Sequence, residues 1–315
     1  MALADSIALL RMSTASGYRT EMGEYADLFV SEGYLVVEQL VSADEREAVR
    51  EELTRFARGE YPVANPPDVG DAALDDERLA AILAVHFPHW VSPTVERMVR
   101  HEGIVKVLGE ITGAHIPYWD GRVKCMQSML FAKPPGLPGQ AWHQDERYIP
   151  TRDRSLVGVW IALDDADEEN GCLRVLPRSH RPGKLYPLRD HGHPDEFDPG
   201  EEAHSFPDAD KELAVPVRAG DVIFFNGYLL HRSKRNASAN RARRALVNHY
   251  CSAWSNLPWL TREGLDIGVA DYRVIVPVLG EDPYPERPIE AGPNEVFLRP
   301  ATGRYTDAQE IIAEG

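Results

Sequence analysis

Cysteine is scarce in this chain. The 315 residues contain only Cys125, Cys172 and Cys251, and no two of them have the C-x-x-C spacing. A disulfide framework needs an even, dense set of cysteines, and a zinc knuckle needs closely spaced pairs. We therefore expect neither, and we predict a reducing, cytoplasmic setting.

Long apolar runs are also missing. No stretch approaches the about 18 apolar residues that mark a transmembrane helix. Residues 1–16 hold one short apolar run, with no basic segment before it and no cleavage pattern after it. The sequence predicts neither membrane insertion nor secretion.

Positive charge is in deficit, with 34 Lys and Arg against 50 Asp and Glu, a formal net charge of -16. A chain this acidic repels nucleic acid and anionic membranes unless basic residues are concentrated in one patch. The 43% of apolar residues supports a folded globule. We expect a monomer or homodimer whose partner is a small-molecule substrate.

The first 115 residues read as a mainly helical flank. Residues 42–59 predict a helix, because Ser42 suits the N-cap, Glu45 completes a capping box, and Gly59 suits the end. Residues 92–113 predict two short helices, and residues 33–40 predict a strand.

From residue 122 the pattern changes to short β-branched and aromatic runs. We predict strands at 122–133, 155–165, 171–177, 212–217, 221–226 and 243–254. Asn170-Gly171 is typical of a tight hairpin, and Gly220-Asp221 marks another turn. The fold class predicted is mainly β with flanking helices, and a rolled double sheet is the natural way to close it.

The chain is predicted to form a single domain in three parts: the flank at 1–115, a catalytic core at 116–255, and an extension at 256–315 that packs on the core. Residues 181–211 are polar, rich in Pro and Gly, and too long for a simple connection. We predict that this segment is a lid or insert loop.

The short motif around His143 and Asp145 is the first candidate for chemistry. In an extended segment, residues i and i+2 project to the same side, so both side chains can reach one ion. His231 follows an apolar strand and can supply a third ligand. Two histidines and one carboxylate suit non-haem Fe(II), with positions left for other ligands. Trp142 and Gln144 point the other way and are expected to pack.

Three arginines, Arg241, Arg243 and Arg244, follow at the start of the last core strand. An arginine beside a metal offers a planar fork to a carboxylate. Arg243 is favoured because it shares its strand face with the small Ala245, although all three stay open. Ser233 lies two residues past His231 and offers a hydroxyl to the same carboxylate.

The other histidines lack such a context and are predicted to be surface or packing residues. They are His86, His89, His101, His115, His180, His191, His193, His204 and His249.

Three runs together, at 129–183, 219–236 and 243–250, closely resemble the phytanoyl-CoA dioxygenase (PhyH) family of Fe(II)- and 2-oxoglutarate-dependent oxygenases. The similarity covers roughly residues 25–255. It implies a double-stranded β-helix core, a jelly roll of the cupin type. It also implies Fe(II) as metal, with 2-oxoglutarate and O2 as co-substrates.

The resemblance assigns roles to the candidate residues. Fe(II) would be held by His143, Asp145 and His231, and the distal carboxylate of 2-oxoglutarate by Arg243 and Ser233.

The resemblance extends to further positions. Met129 and Trp160 fall at family positions that line the pocket, and Gln127 shares a strand face with Met129 and is a plausible extra contact. Arg178 stands where the family usually has glycine, as either a substrate contact or a surface change.

The predicted reaction is oxidation, most commonly hydroxylation, of a C–H bond in a small organic substrate, with conversion of 2-oxoglutarate and O2 to succinate and CO2. Secondary metabolism is a suitable setting. The alternatives are an acyl-CoA hydroxylase of the phytanoyl-CoA type, a non-catalytic cupin-like binding protein, and a cupin-type metalloenzyme without 2-oxoglutarate. Glu146-Arg147 is expected at the cavity mouth.

Overall fold

The computed structural model describes residues 11–13, 23–64, 66, 70, 73–258, 271–290 and 296–301. The remaining parts of the predicted flank and extension lie outside the described residues. The described helices are α1 (Glu24–Glu32), α2 (Ala43–Ala57), α3 (Asp75–Ala80), α4 (Pro93–Val99) and α5 (Glu102–Ile111). None of these helices is long and apolar enough to cross a membrane.

Strands make up most of the remaining regular structure. They are β1 (Arg11–Ser13), β2 (Tyr34–Glu38), β3 (Val63–Ala64), β4 (Ile82–His86), β5 (Val123–Phe131), β6 (Val157–Ala162), β7 (Leu173–Val175), β8 (Leu188–Asp190), β9 (Glu201–Ala203), β10 (Leu213–Val215), β11 (Val222–Asn226), β12 (His231–Ser233), β13 (Ala245–Ser252), β14 (Val276–Leu279) and β15 (Val296–Pro300). Every predicted strand and each of the three predicted helices is present.

The N-terminus of α2 shows how local sequence sets these boundaries. The Ser42 hydroxyl accepts the Glu45 N–H at 3.3 Å, and the Glu45 carboxylate accepts the Ser42 N–H at 2.9 Å. This reciprocal pair is the predicted capping box, a device that contributes about 1 kcal/mol. The helix ends just before Gly59, whose φ of 73° is the left-handed conformation that glycine adopts without strain.

Two sheets form the core. The large sheet has ten strands in the order β1-β2-β11-β6-β13-β5-β4-β15-β3, with β14 also paired to β5, and the small sheet runs β10-β7-β12. Trp160 and Phe225 of the large sheet pack in one apolar cluster with Val175 and Val215 of the small sheet. The predicted double-stranded β-helix is confirmed.

The opposite face of the large sheet is covered by helices. Leu246 and Tyr250 of β13 share an apolar cluster with Val49 and Leu53 of α2. Because both faces are buried, β6 is apolar along its whole length, and β13 is buried at every position. The large sheet therefore gives rigid support to the side chains that point toward the small sheet.

The predicted hairpin at Asn170-Gly171 is wrong in its connectivity. The turn exists, and Gly171 has a φ of 78°. The strands on either side of it, β6 and β7, belong to different sheets and do not pair. Each of the two strands is buried in its own layer, and this burial determines the pairing more strongly than the local turn preference does.

Several strands were not predicted. In the flank, β4 joins the large sheet beside β5. In the extension, β15 pairs with β4 and β14 pairs with β5. Within the predicted lid segment, β8 and β9 form a small antiparallel pair. The two short C-terminal strands extend the sheet that carries the site.

Candidate active site

Three ligand atoms converge at one edge of the small sheet. His143 forms a β-bridge to His231, with N–H···O distances of 3.0 and 3.1 Å, and Asp145 opens a 3-10 turn two residues later. Asp145 Oδ1 lies 3.6 Å from His143 Nε2 and 3.5 Å from His231 Nε2. These residues form a group whose possible ligand atoms all lie within 4.8 Å of one another.

The backbone orients both imidazoles. His143 Nδ1 lies 2.7 Å from the Ala141 carbonyl oxygen, and His231 Nδ1 lies 2.9 Å from the Leu229 carbonyl oxygen. A carbonyl only accepts, so each Nδ1 carries the proton and each Nε2 has its lone pair free for a metal. Burial and the neighbouring His231 lower the pKa of His143 to about 4, which favours the neutral ligand form.

The carboxylate of Asp145 is oriented by His249 on β13. His249 Nε2 lies 2.9 Å from Asp145 Oδ2, which leaves Oδ1 facing the two Nε2 atoms. Burial alone would raise the pKa of Asp145, but the imidazoles of His231 and His249 outweigh it and the pKa falls below its usual value. The donor set therefore fits a divalent metal with a carboxylate ligand.

His249 was predicted to be a packing or surface residue, and that prediction is wrong. The signal that would have found it is the alternation along β13: Arg243, Ala245, Val247 and His249 follow one another at every second position. A β-bulge between His249 and Tyr250 shifts the pairing of β13 with β5 at this point. Bulges of this kind often re-aim side chains beside active sites.

The three arginines differ in whether a carboxylate pairs with them. Arg244 makes a bidentate pair with Asp164, with two distances of 2.7 Å, and Arg241 lies 2.6 Å from Asp167. Arg243 is only 5% exposed and lines the cavity, and no carboxylate pairs with it in the described part of the chain. Its Nε is buried without a hydrogen-bond partner. Burial lowers the pKa of the Arg243 guanidinium to about 10, so it stays charged near neutrality.

All the predicted site residues border one cavity of about 340 Å³. They are Gln127, Met129, His143, Asp145, Trp160, His231, Ser233 and Arg243. The Arg243 guanidinium lies 5.5 Å from the centre of the Trp160 ring, within cation–π range. The geometry thus brings the predicted metal ligands and the predicted carboxylate anchors to one enclosed space.

One polar part of the cavity wall was not predicted. His86 of β4 borders it, and both ring nitrogens of His86 are buried without a hydrogen-bond partner. Arg299 of β15 also borders it and forms an ion pair with Asp198 from the predicted lid segment. This wall is polar and joins the C-terminal extension to the lid segment.

The expectation that Glu146 and Arg147 lie at the cavity mouth is wrong, and the two alternatives for Arg178 are resolved. Glu146 is not at the cavity mouth: it is 1% exposed, its Oε1 accepts the Thr151 N–H at 2.6 Å, and burial raises its pKa to about 8. Arg147 does not border the cavity either. Arg178 lies on the surface in an ion pair with Glu32.

Trp142 and Gln144 pack as predicted. Trp142 is 6% exposed in an apolar cluster, and the Gln144 amide donates to the Tyr228 carbonyl at 2.7 Å.

Comparison with protein families matches residues 29–245, more than half of the chain, to the family described as phytanoyl-CoA dioxygenase (PhyH). The chain belongs to the phytanoyl-CoA dioxygenase family. Membership confirms the predicted class of Fe(II)- and 2-oxoglutarate-dependent oxygenase.

Similar proteins extend this result. Phytanoyl-CoA dioxygenase 1 of Oryza sativa subsp. japonica is 37% identical over 150 residues, which are 45% of this chain and about half (51%) of the rice protein. A probable alpha-ketoglutarate-dependent hypophosphite dioxygenase of Stutzerimonas stutzeri is 28% identical over 72% of this chain and 78% of its own length. The solved structure of the non-heme monooxygenase ThoJ in apo form has a TM-score of 0.60 at 20% identity and covers 88% of each chain. This last likeness confirms the fold.

Proposed function

We propose that this protein is a dioxygenase that uses Fe(II), 2-oxoglutarate and O2 to hydroxylate a C–H bond of a small polar organic substrate. One observation carries the proposal. Three metal-ligand atoms face the same cavity as a buried arginine that no described carboxylate neutralises.

In this proposal His143, Asp145 and His231 hold the iron. Their lone pairs converge because the backbone carbonyls of Ala141 and Leu229 fix the imidazoles and His249 fixes the carboxylate. Bound there, iron with 2-oxoglutarate supplies oxygen activation coupled to the formation of succinate and CO2. Neutral imidazoles and one carboxylate leave net positive charge for an anionic co-substrate.

The protein's own contribution to co-substrate binding comes from Arg243 and Ser233, which hold the distal carboxylate. A buried guanidinium without a counter-ion is costly, and a carboxylate that pairs with it removes that cost. Trp160 and Met129 shape the apolar part of the same cavity, and Gln127 offers an amide.

Exclusion of water is assigned to the segment at 181–211, which contributes Asp198, Pro199, Gly200 and Glu201 to the cavity wall. The ion pair of Asp198 with Arg299 ties this segment to β15. A closed cavity protects the reacting groups from solvent and holds the substrate C–H bond in one orientation.

The size and charge of the cavity support a small polar substrate. A volume of about 340 Å³, shared with 2-oxoglutarate, is at the lower end of the roughly 300–1,000 Å³ of ligand pockets. The cavity wall also offers the neutral His86, the Gln127 amide and the Arg299–Asp198 pair. Groups of this kind suit hydroxyl or carbonyl groups on the substrate.

A coenzyme A thioester is disfavoured by the basic stretch at 232–244. Its phosphates would need unpaired cations at the cavity. Arg232, which borders the cavity, is paired with Glu212 at 2.7 Å, and Arg241 and Arg244 are also neutralised, while Lys234 and Arg235 do not border the cavity. An acyl-CoA substrate remains the second candidate because the family includes phytanoyl-CoA dioxygenases.

The test is a compound screen read by succinate release, with Fe(II), ascorbate and 2-oxoglutarate supplied. Small polar compounds are expected to raise succinate release above the substrate-free level, whereas acyl-CoA thioesters are not. Release stimulated only by acyl-CoA would overturn the substrate class. Failure to bind either Fe(II) or 2-oxoglutarate by calorimetry would support a non-catalytic binding protein instead.

Iron binding without any effect of 2-oxoglutarate on the visible spectrum would favour a cupin-type metalloenzyme that does not use it. The cytoplasmic location and the monomeric or homodimeric state remain predictions from composition, and size-exclusion chromatography tests the second.

A further inference from the structure

A second buried cation lies next to the proposed co-substrate site. Lys133 lies two residues past the end of β5 and is 1% exposed. Its Nζ donates to the Lys234 carbonyl oxygen and lies 3.3 Å from Ser233 Oγ. No carboxylate forms an ion pair with it among the described residues. Burying a charge without an ion-pair partner is costly.

Contacts of Lys133 reach both proposed anchors of 2-oxoglutarate. Its side chain contacts Ser233, while its backbone carbonyl accepts the Arg243 N–H at 3.0 Å. The same carbonyl accepts Asn236 Nδ2 at 3.1 Å. One residue therefore fixes the hydroxyl through its side chain and the start of the arginine strand through its backbone.

The hydrogen bonds that the Ser233 hydroxyl already accepts limit the direction of its own O–H. The Gln140 N–H donates to Ser233 Oγ at 3.2 Å, and Lys133 Nζ lies 3.3 Å from the same oxygen, to which the charged form of Lys133 can only donate. When Lys133 is charged, both lone pairs of Ser233 Oγ are engaged, and the single Ser233 O–H has to donate to another group. Ser233 borders the cavity together with Arg243, so that group is an acceptor placed in the cavity.

The space for Lys133 depends on Gly171. A Cβ at Gly171 would lie 2.8 Å from Lys133 Nζ and 2.4 Å from the Lys234 carbonyl oxygen. The turn at Asn170-Gly171, which does not join paired strands, thus packs its glycine against this ammonium.

We propose that Lys133 is a positioning residue for 2-oxoglutarate, which holds the Ser233 hydroxyl as a donor and adds a second positive charge beside Arg243. The inference rests on the proposed function and specifies how the chain selects a 2-oxo acid with a distal carboxylate. Burial and the nearby Arg243 lower the pKa of Lys133 well below its usual value. An arriving carboxylate favours the charged form, so anion binding and the donor role of Ser233 reinforce each other.

The experiment is calorimetric titration of the Fe(II)-loaded protein without oxygen, with 2-oxoglutarate and with 2-oxopentanoate. The second acid has the same five-carbon chain with a methyl group in place of the distal carboxylate. Lys133→Met is expected to weaken 2-oxoglutarate binding roughly tenfold and to leave 2-oxopentanoate binding unchanged. Lys133→Gln, which keeps a donor for Ser233, is expected to recover part of the loss.

Two further variants separate positioning from general damage. When Ser233→Ala is already present, Lys133→Met is expected to weaken 2-oxoglutarate binding much less than it does alone, because the two residues act on one hydrogen bond. Lys124→Met is the matched control: Lys124 is also fully buried and donates to a carbonyl, that of Ser255, but its ammonium does not donate to Ser233. This control is expected to leave the affinity for both acids unchanged.

The inference is overturned if Lys133→Met binds 2-oxoglutarate as the unaltered protein does, or if it loses affinity for both acids equally. Additive effects of Lys133→Met and Ser233→Ala would also contradict it. Failure of the unaltered protein to bind 2-oxoglutarate at all would instead contradict the proposed function. If Lys133→Met does not fold, Lys133→Gln is compared with Lys124→Met in the same titrations.

Discussion

The two ends of the cavity are built on opposite principles. At the metal end, the atoms of His143, His231 and Asp145 that face away from the common point already have partners, so the remaining atoms converge on that point. At the anchor end, Arg243 is buried with an Nε that has no partner. One end is organised in advance by the fold, and the other carries charge that a ligand has to neutralise. Substitutions at the two ends should therefore weaken the binding of different molecules.

The largest effect is expected at the metal end. His143→Ala or Asp145→Ala removes one of three ligands, so succinate production should be abolished. Iron affinity should fall by more than the roughly 10–100-fold that loss of a supporting residue costs. Metal analysis after gel filtration measures the affinity. Full succinate production by either purified variant would refute the assignment of the ligands.

Next in size is the anchor end. Arg243→Met should leave iron bound but weaken 2-oxoglutarate by about 3 kcal/mol, roughly 100-fold in Kd, because two charge-assisted hydrogen bonds are lost. Arg244→Met is the matched control, since its guanidinium is already paired with Asp164 on the other side of the strand. The affinity for 2-oxoglutarate is measured by anaerobic calorimetry. If it falls equally in the two variants, Arg243 has no special role in binding the co-substrate.

A smaller effect is expected from the residue that supports the metal end without touching the metal. His249→Leu leaves Asp145 Oδ2 without its partner and should lower iron affinity about tenfold. Because Arg243 is not altered, the iron-loaded variant should have the same ratio of 2-oxoglutarate affinity to 2-oxopentanoate affinity as the unaltered protein. His249→Gln, which can still donate, should lose less. An unchanged iron affinity in His249→Leu would show that the contact does not orient Asp145.

The smallest effect concerns a buried histidine outside both ends. Burial lowers the pKa of His89 from 6.5 to about 3. Between these values the unfolded chain binds a proton that the folded protein does not, so this group makes stability fall as the pH drops below about 6.5. His89→Leu should reduce that dependence by up to about 1.4 kcal/mol per pH unit. Urea unfolding of the metal-free protein at several pH values measures it, and an unchanged slope would contradict the burial argument.

The sequence predicted the central strands because each is a short apolar run bounded by turn residues, and burial on both faces demands that pattern. It also predicted His143, Asp145 and Arg243, because alternation along an extended chain places such side chains on a common face. His249 was missed because each histidine was judged by its own neighbours, although the alternation from Arg243 reaches it.

One contact between residues distant in sequence, that of Arg299 with Asp198, was not predicted. Nothing local to Arg299 or Asp198 marks their pairing, which depends on β15 joining β4. Glu146 was misplaced because the 3-10 turn at Asp145–Arg147 rotates the chain. That rotation buries Glu146 and places Tyr148 and Ile149 in the cavity wall instead.

The most direct measurement is an anaerobic visible titration of the Fe(II)-loaded protein with 2-oxoglutarate, alongside Arg243→Met and Arg244→Met. We predict a saturable charge-transfer band that requires iron, that appears at the same 2-oxoglutarate concentration in Arg244→Met, and that needs far more 2-oxoglutarate in Arg243→Met. Absence of the band in the unaltered protein would contradict the use of 2-oxoglutarate, and the same titration curve in all three proteins would contradict the role of Arg243.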